Sequence, residues 1–245
     1  MNSRSFVIDA TPESVIKYRA THAIVAVDVF RATTVIVTAL ARGHPIYPVS
    51  TVDEAGAVAR QLHDPLLAGE QAGIKPDGFD LNNSPAAIEL LQNCRPIVLV
   101  TSAGTKLLSE ARGASSIYVA CLRNMIATAA QLIDSHHHVA LIGAGTRGQP
   151  RPEDQYACAR IAEMLQSQGF VPEDDRTVGE LKSWRGVDAQ TMRASPSADF
   201  LRSTYQHADL DFVLSRVDDV DASAVFNGQQ VSLMLPGPQR LLAEA

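Results

Sequence analysis

Cysteine is scarce and poorly placed for cross-links. Only Cys94, Cys121 and Cys158 occur in 245 residues, an odd number at wide spacings. Neither a disulfide framework nor a cysteine-based zinc site is indicated, and the thiols read as buried or incidental in a reducing cytosol. No basic block offsets the net charge of −6, which argues against nucleic acid as the main partner. No uninterrupted apolar run approaches the roughly 18–20 residues that span a bilayer. The opening MNSRSFVIDA lacks the apolar stretch of a secretory leader. A cytoplasmic protein without a membrane partner is therefore expected. Also missing are a low-complexity linker and any repeat beyond a βα unit, so one domain over residues 1–245 is expected. The rest of the composition is ordinary. The chain is 46% hydrophobic and 20% charged, and long enough to bury a large core.

Short apolar runs at 6–10, 23–27, 46–49, 66–68, 96–100, 116–120 and 139–142 read as strands. Helical patterns lie between them. They open at Thr11-Pro12, at Arg31, at the capping box Thr51-Val52-Asp53-Glu54 and at Ser84-Pro85, and the longest runs from 153 to 168. This alternation predicts an α/β fold with a largely parallel sheet. The last third reads differently. Residues 173–193 are charged and irregular, and Ser195-Pro196 opens a helix to Gln206. Asn227-Gly228 between apolar residues predicts a hairpin with a type I′ turn, a C-terminal antiparallel addition to the sheet.

Four polar or glycine-rich segments follow predicted strands, at 28–34, 69–84, 101–105 and 143–154. In a parallel sheet they share the edge where ligands bind. Asp28 ends a strand and is either a metal ligand, a nucleophile or a helix N-cap. Arg31 opens the next helix, where amide groups, the helix dipole and a guanidinium fork all favour an anion, unless it simply pairs with a carboxylate. Thr33 and Thr34 either bind ligand oxygens or bond their own backbone. Glu70, Lys75, Asp77, Asp80, Asn82, Asn83 and Ser84 share one loop that suits Mg²⁺ with a phosphate, or is a solvated surface loop. Thr101, Gly104 and Thr105 belong to a turn that wraps a phosphate or merely joins strand to helix. Residues 143–148 match G-x-G-x-x-G, but Pro150 and Pro152 delay the helix, so an anion-binding turn with Arg147 and Asp154 fits better than a dinucleotide site. His136-His137-His138 lies between a helix and a strand with no evident carboxylate partner, and reads as an exposed connection.

These segments resemble a known family. VDVFRATTVIVTAL (27–40), GEQAGIKPDGFDLNNSP (69–85) and TSAGT (101–105) are similar to the three signatures of 2-phosphosulfolactate phosphatases, with GAGTRGQPRPEDQYACA (143–159) and SPSADFL (195–201) where that family has similar segments. The resemblance implies a three-layer α/β/α fold and Mg²⁺-dependent hydrolysis of 2-phosphosulfolactate to (R)-3-sulfolactate and phosphate, a step of coenzyme M synthesis. Ala103 stands where the family usually has Asn, Asn82 and Ala198 where Gly is common. A phosphatase for another small phosphate ester, or an anion-binding protein on the same scaffold, is the alternative. On this reading Asp28, Glu70 and Asp80 hold the metal. Arg31, Lys75 and the Gly104-Thr105 backbone stabilise the phosphoryl oxygens. Thr33, Thr34, Asn83, Ser84, Thr101 and Arg147 contact substrate, and Asp154 or Glu153 protonates the leaving group. The attacking group is a water or Asp28; Asp28-Val29-Phe30 lacks the second carboxylate of D-x-D phosphatases. The expected partner is a small anionic ester, with a second copy of the chain in a homodimer.

Overall fold

The structure, a computed structural model, describes residues 4–235; the domain drawn over 1–245 extends past these at both ends. Its strands are β1 (Ser5–Asp9), β2 (Ala23–Val27), β3 (Ile46–Val49), β4 (Leu66–Gly69), β5 (Ile97–Val100), β6 (Ile117–Ala120), β7 (His138–Gly143), β8 (Val171–Pro172), β9 (Ser223–Phe226) and β10 (Val231–Met234). Its helices are α1 (Val15–Tyr18), α2 (Ala32–Ala41), α3 (Val52–Ala59), α4 (Pro85–Glu89), α5 (Gly104–Ala111), α6 (Met125–Ser135), α7 (Pro152–Ser167), α8 (Asp175–Trp184), α9 (Pro196–Ser203) and α10 (His207–Ser215).

All ten strands form one sheet in the order β4-β5-β3-β10-β9-β6-β2-β7-β1-β8. Alternation along β2 explains the layers, because successive side chains leave a strand on opposite faces. Val25 and Val27 join Leu132, Ile161, Leu165 and Leu181 beneath α6, α7 and α8. Ile24 and Ala26 join Val35, Ile36, Leu107 and Leu108 beneath α2 and α5. Helices thus cover both faces of the central strands, as the α/β/α expectation requires. A smaller cluster, with Val49, Ala55, Phe79, Val98 and Val100, seats α3 at the other end. Among the described residues no helix is long and apolar enough to cross a membrane.

The antiparallel hairpin β9-β10 is present, but it sits in the middle of the sheet, between β6 and β3. It separates two parallel blocks, β4-β5-β3 and β6-β2-β7-β1-β8. Its turn also differs from the type I′ expectation. Residues 227–230 form the loop, closed by Asn227 N–H donating to the Gln230 carbonyl (3.1 Å), while Asn227 Oδ1 accepts from the Gln229 and Gln230 amides. Asn227 thus faces Gln230, the two residues between them are Gly228 and Gln229 rather than Asn227 and Gly228, and the Asn227 side chain caps the loop.

Residues 173–193 are not irregular. Asp174 accepts from the Thr177 amide at 2.7 Å and caps α8, whose Thr177 and Leu181 are buried. The spacing of Thr177 and Leu181 is helical, but charges around them hide it from a composition-based reading. The helix opened by Ser195 breaks at Thr204 and restarts as α10, an element with no counterpart in the expectation.

Candidate functional site

Asp28 follows β2 directly. The turn after it is braced by its own hydroxyls: Asp28 N–H donates to Thr33 Oγ1 (2.9 Å), Thr33 Oγ1 donates to the Asp28 carbonyl (2.8 Å) and Thr34 Oγ1 to the Val29 carbonyl (2.9 Å). Both threonines are fully buried. They therefore take the backbone-bonding role rather than facing a ligand. Asp28 Oδ1 accepts from the Ala32 amide at 3.2 Å. Its Oδ2 lies beneath the first residue of α5, where a Cβ on Gly104 would come within 2.6 Å of it. Glycine is required there because the helix start approaches the carboxylate so closely.

Glu70 follows β4 and is gripped from three sides. Oε1 accepts from the Ser102 amide (2.7 Å), and Oε2 accepts from the Gly73 amide (2.6 Å) and Ser102 Oγ (3.1 Å). Ser102 Oγ also accepts from the Ala72 amide at 2.9 Å. These bonds tie the 69–84 loop to the turn after β5. Thr101 and Thr105 hold that turn by reciprocal bonds of 2.7–3.1 Å and, like Gly104, support the site without lining it.

The loop after β7 leads into α7, whose first turn carries Glu153 and Asp154. Asp154 accepts from the Val29 amide (2.8 Å) and the Gly145 amide (3.2 Å), so it bridges the loops after β2 and β7. With both oxygens on backbone amides, it serves as a tie between loops. Glu153 is buried, and its Oε2 has no hydrogen-bond partner.

Electrostatics set this corner apart. Burial pushes the Asp28 pKa up to about 7, and the charges of Glu70 and Glu153 add to the rise. Burial also raises Glu153 and Asp154, the latter with help from Asp28 and Glu153. Arg31 opposes the rise at Asp28 only in part. Its Nη1 donates to Asp209 Oδ2 (2.5 Å) and to Gln206 Oε1. Asp209 Oδ1 in turn accepts from Ser84 Oγ (2.6 Å) and the Ala86 amide (3.1 Å). Ser84 also caps α4, so it organises α4 and Asp209 and does not line the cavity.

A cavity of about 610 Å³ opens over these groups. Asp28, Arg31, Glu70, Asn83 and Arg147 line it, as do Ser102 and Ala103. Asn83 is buried and its Oδ1 has no partner. Lys75 and Asp80 stand outside. Lys75 Nζ donates to the Phe79 carbonyl (2.6 Å), and Asp80 Oδ2 accepts from the Leu67 amide (2.8 Å), so both serve the loop's own fold. Sequence reasoning missed Lys106, Arg151 and Phe200, which also line the cavity, and the pair Gln206 and Asp209. Lys106 follows the TSAGT turn immediately and was findable; nothing local marks α10 as a partner of Arg31.

The family model described as 2-phosphosulpholactate phosphatase matches residues 9–224. The chain belongs to this family. A protein from Carboxydothermus hydrogenoformans named probable 2-phosphosulfolactate phosphatase is 34% identical over 84% of this chain and 82% of its own length. Proteins of the same name from Pseudothermotoga lettingae and Symbiobacterium thermophilum are each 38% identical, over 57% and 58% of this chain and 61% and 62% of their own lengths. The latter two alignments thus cover a little under two thirds of those relatives. In this 2-phosphosulpholactate phosphatase family member, segments 27–40, 69–85 and 101–105 each contribute lining residues to a single cavity.

Proposed function

We propose that this chain is a Mg²⁺-dependent phosphomonoester hydrolase that acts on 2-phosphosulfolactate and releases (R)-3-sulfolactate and phosphate. The observation that carries the reading is the acidic corner of the cavity. Burial and the charges of Glu70 and Glu153 raise the proton affinity of Asp28, and the buried Glu153 Oε2 beside it is unpartnered. A donor set of hard oxygens suits Mg²⁺, which keeps several waters and is held by one or two carboxylates plus the substrate's phosphate. The carboxylates do not converge into a closed protein cage, which agrees with such sharing. When bound, the cation neutralises developing charge and lowers the pKa of water.

The chain's own residues supply the rest. Asp28, with a pKa near 7 before any cation binds, can exchange a proton at neutral pH. Arg31 is held rigidly by Asp209 beside the cavity and offers a fixed cation to phosphoryl oxygens. Lys106, Arg147 and Arg151 border the same space and suit the sulfonate and carboxylate of a triply anionic substrate. Ala103 lines the cavity without a polar side chain, which favours, as a second reading, a different small phosphate ester.

A panel of phosphate monoesters, including 2-phosphosulfolactate, assayed with Mg²⁺ and with chelator tests both readings. Selective, Mg²⁺-dependent turnover of 2-phosphosulfolactate is expected. Preference for another ester selects the second reading, and the absence of all turnover overturns both.

A further inference from the structure

At the opposite edge of the sheet, where β1, β2 and β7 begin, two histidines and a carboxylate meet. His22 immediately precedes β2, His138 opens β7, and Glu173 immediately follows β8. One ligand atom from each lies within 4.8 Å of the others, the only such group of His, Cys, Asp or Glu among the described residues. His22 Nε2 is 2.9 Å from Glu173 Oε1, and the two imidazole centroids are 5.7 Å apart. Ser5 Oγ lies among them, 2.7 Å from His138 Nδ1 and 2.6 Å from Glu173 Oε1.

We propose that His22, His138 and Glu173 form a second metal site, for Zn²⁺ or a similar first-row transition ion, separate from the catalytic cavity. Two imidazoles and one carboxylate are a ligand set for such ions, whereas the all-oxygen corner of the cavity is not. A tetrahedral zinc shell has ligand atoms about 3.3 Å apart, given bonds of about 2.0–2.1 Å. The His22–Glu173 pair is already closer than that, and the remaining separations close by side-chain rotation.

The surroundings favour ligation. His22 Nδ1 lies 2.8 Å from Thr21 Oγ1, which is itself placed to donate to the Tyr18 carbonyl at 3.4 Å. Thr21 therefore accepts the Nδ1 proton and leaves Nε2 to face Glu173, the outer-shell arrangement found around metal-bound histidines. An ion bound between Nε2 and Oε1 takes the place of any proton shared there, which passes to solvent. The side chains of His22 and Glu173 are 11% and 31% exposed, which gives an ion a path from solvent. The ligands come from the starts of β2 and β7 and the end of β8, so the ion would act as a structural staple.

The test uses tag-free full-length protein stripped by chelator and titrated with Zn²⁺, with Co²⁺ as a visible-absorbing probe. Wild type and Asp28→Asn are both expected to bind one equivalent, which separates this site from the cavity. His138→Asn and Glu173→Gln are expected to bind at least about tenfold more weakly. Zinc should raise the thermal midpoint of wild type by about 2–4 °C or more and leave that of His138→Asn unmoved. X-ray absorption of the wild-type zinc complex should show two imidazole ligands, a readout that needs no variant to fold. Undiminished binding by His22→Asn/His138→Asn, a shell without imidazole, or no binding by Asp28→Asn overturns the proposal.

Discussion

Two buried aspartates at the ends of strands that flank β7 behave in opposite ways. Asp9, at the end of β1, is 5% exposed, and Asp28, just beyond β2, is 8% exposed. Burial raises the proton affinity of both. At Asp9 the rise is overcome by Arg176 at 2.6 Å, the Ala10 amide at 2.8 Å and Lys17 at 3.6 Å, and the pKa falls below its usual value. Asp219 is lowered in the same way by Arg123 and Arg216. At Asp28 the neighbours are Glu70 and Glu153, Arg31 is committed to Asp209 and opposes the rise only in part, and the pKa climbs to about 7. Asp9 and Asp219 carry their own cations. Asp28 lacks one, and such an uncompensated group in a cleft marks a site that awaits a ligand.

That contrast breaks if Asp28 can be neutralised without consequence. Asp28→Asn is expected to lower kcat for ester hydrolysis by at least about 10³-fold. Asp9→Asn, which removes a compensated carboxylate, should leave kcat near the wild-type value. Steady-state kinetics on the two variants decide it, and comparable losses would erase the distinction. The next largest effect concerns Arg31. Asp209→Asn strands a buried guanidinium beside a neutral amide and should cost about 3 kcal/mol in urea unfolding, because a buried charge loses its partner. KM should rise as Arg31 loses its anchor. A loss typical of surface pairs, below about 1 kcal/mol, would mean that Arg31 is held mainly by something else.

A smaller effect follows from linkage. The folded pKa of Asp28, about 7, lies above its unfolded value of 3.8. The folded chain therefore binds more protons between those values. The stability tied to this proton is full below about pH 4 and is lost as pH rises through about 7. Glu153 and Asp154 are raised as well and push the same way. In chelator, the urea midpoint is expected to fall between about pH 5 and pH 8, and Asp28→Asn should flatten that fall. A midpoint that rises over this range would contradict the uncompensated state of the corner.

Most of the fold was legible because local signals agreed with tertiary demands. The run 23–27 became β2 at those residues, Thr51 and Ser84 cap α3 and α4 as read, and the α/β layering followed from alternation. The hairpin was legible as a pair of strands but not as the centre of the sheet, since strand order depends on contacts that no local pattern records. The last third misled because α8 buries a narrow stripe within charged residues, and α10 has no strong cap. The site divides in the same manner. Asp28, Arg31, Glu70, Asn83 and Arg147 line the cavity as their positions after strands suggested. Thr33, Thr34, Thr101 and Thr105 went to backbone bonding, the commoner use of hydroxyls in a first turn. The importance of Asp209 was invisible, because it arises from a contact spanning 178 positions.

The smallest expected effect tests the boundary of the cleft. Lys75 has the right charge and sits in the loop that delivers Glu70, yet its ammonium is spent on the Phe79 carbonyl. Phe79 is buried against Val98 and Val100, so this bond fastens the loop to the cluster under α3. Lys75→Ala should therefore loosen residues near Phe79, with faster amide exchange there and a stability loss of at most about 1 kcal/mol. Since Glu70 is held separately by Ser102 and Gly73, kcat should stay close to wild type and KM should rise only slightly. A collapse of kcat with unchanged amide exchange would place Lys75 among the reacting groups. It would then show that the loop swings inward on substrate binding and that the cation shortage of the acidic corner is met in part by the chain itself.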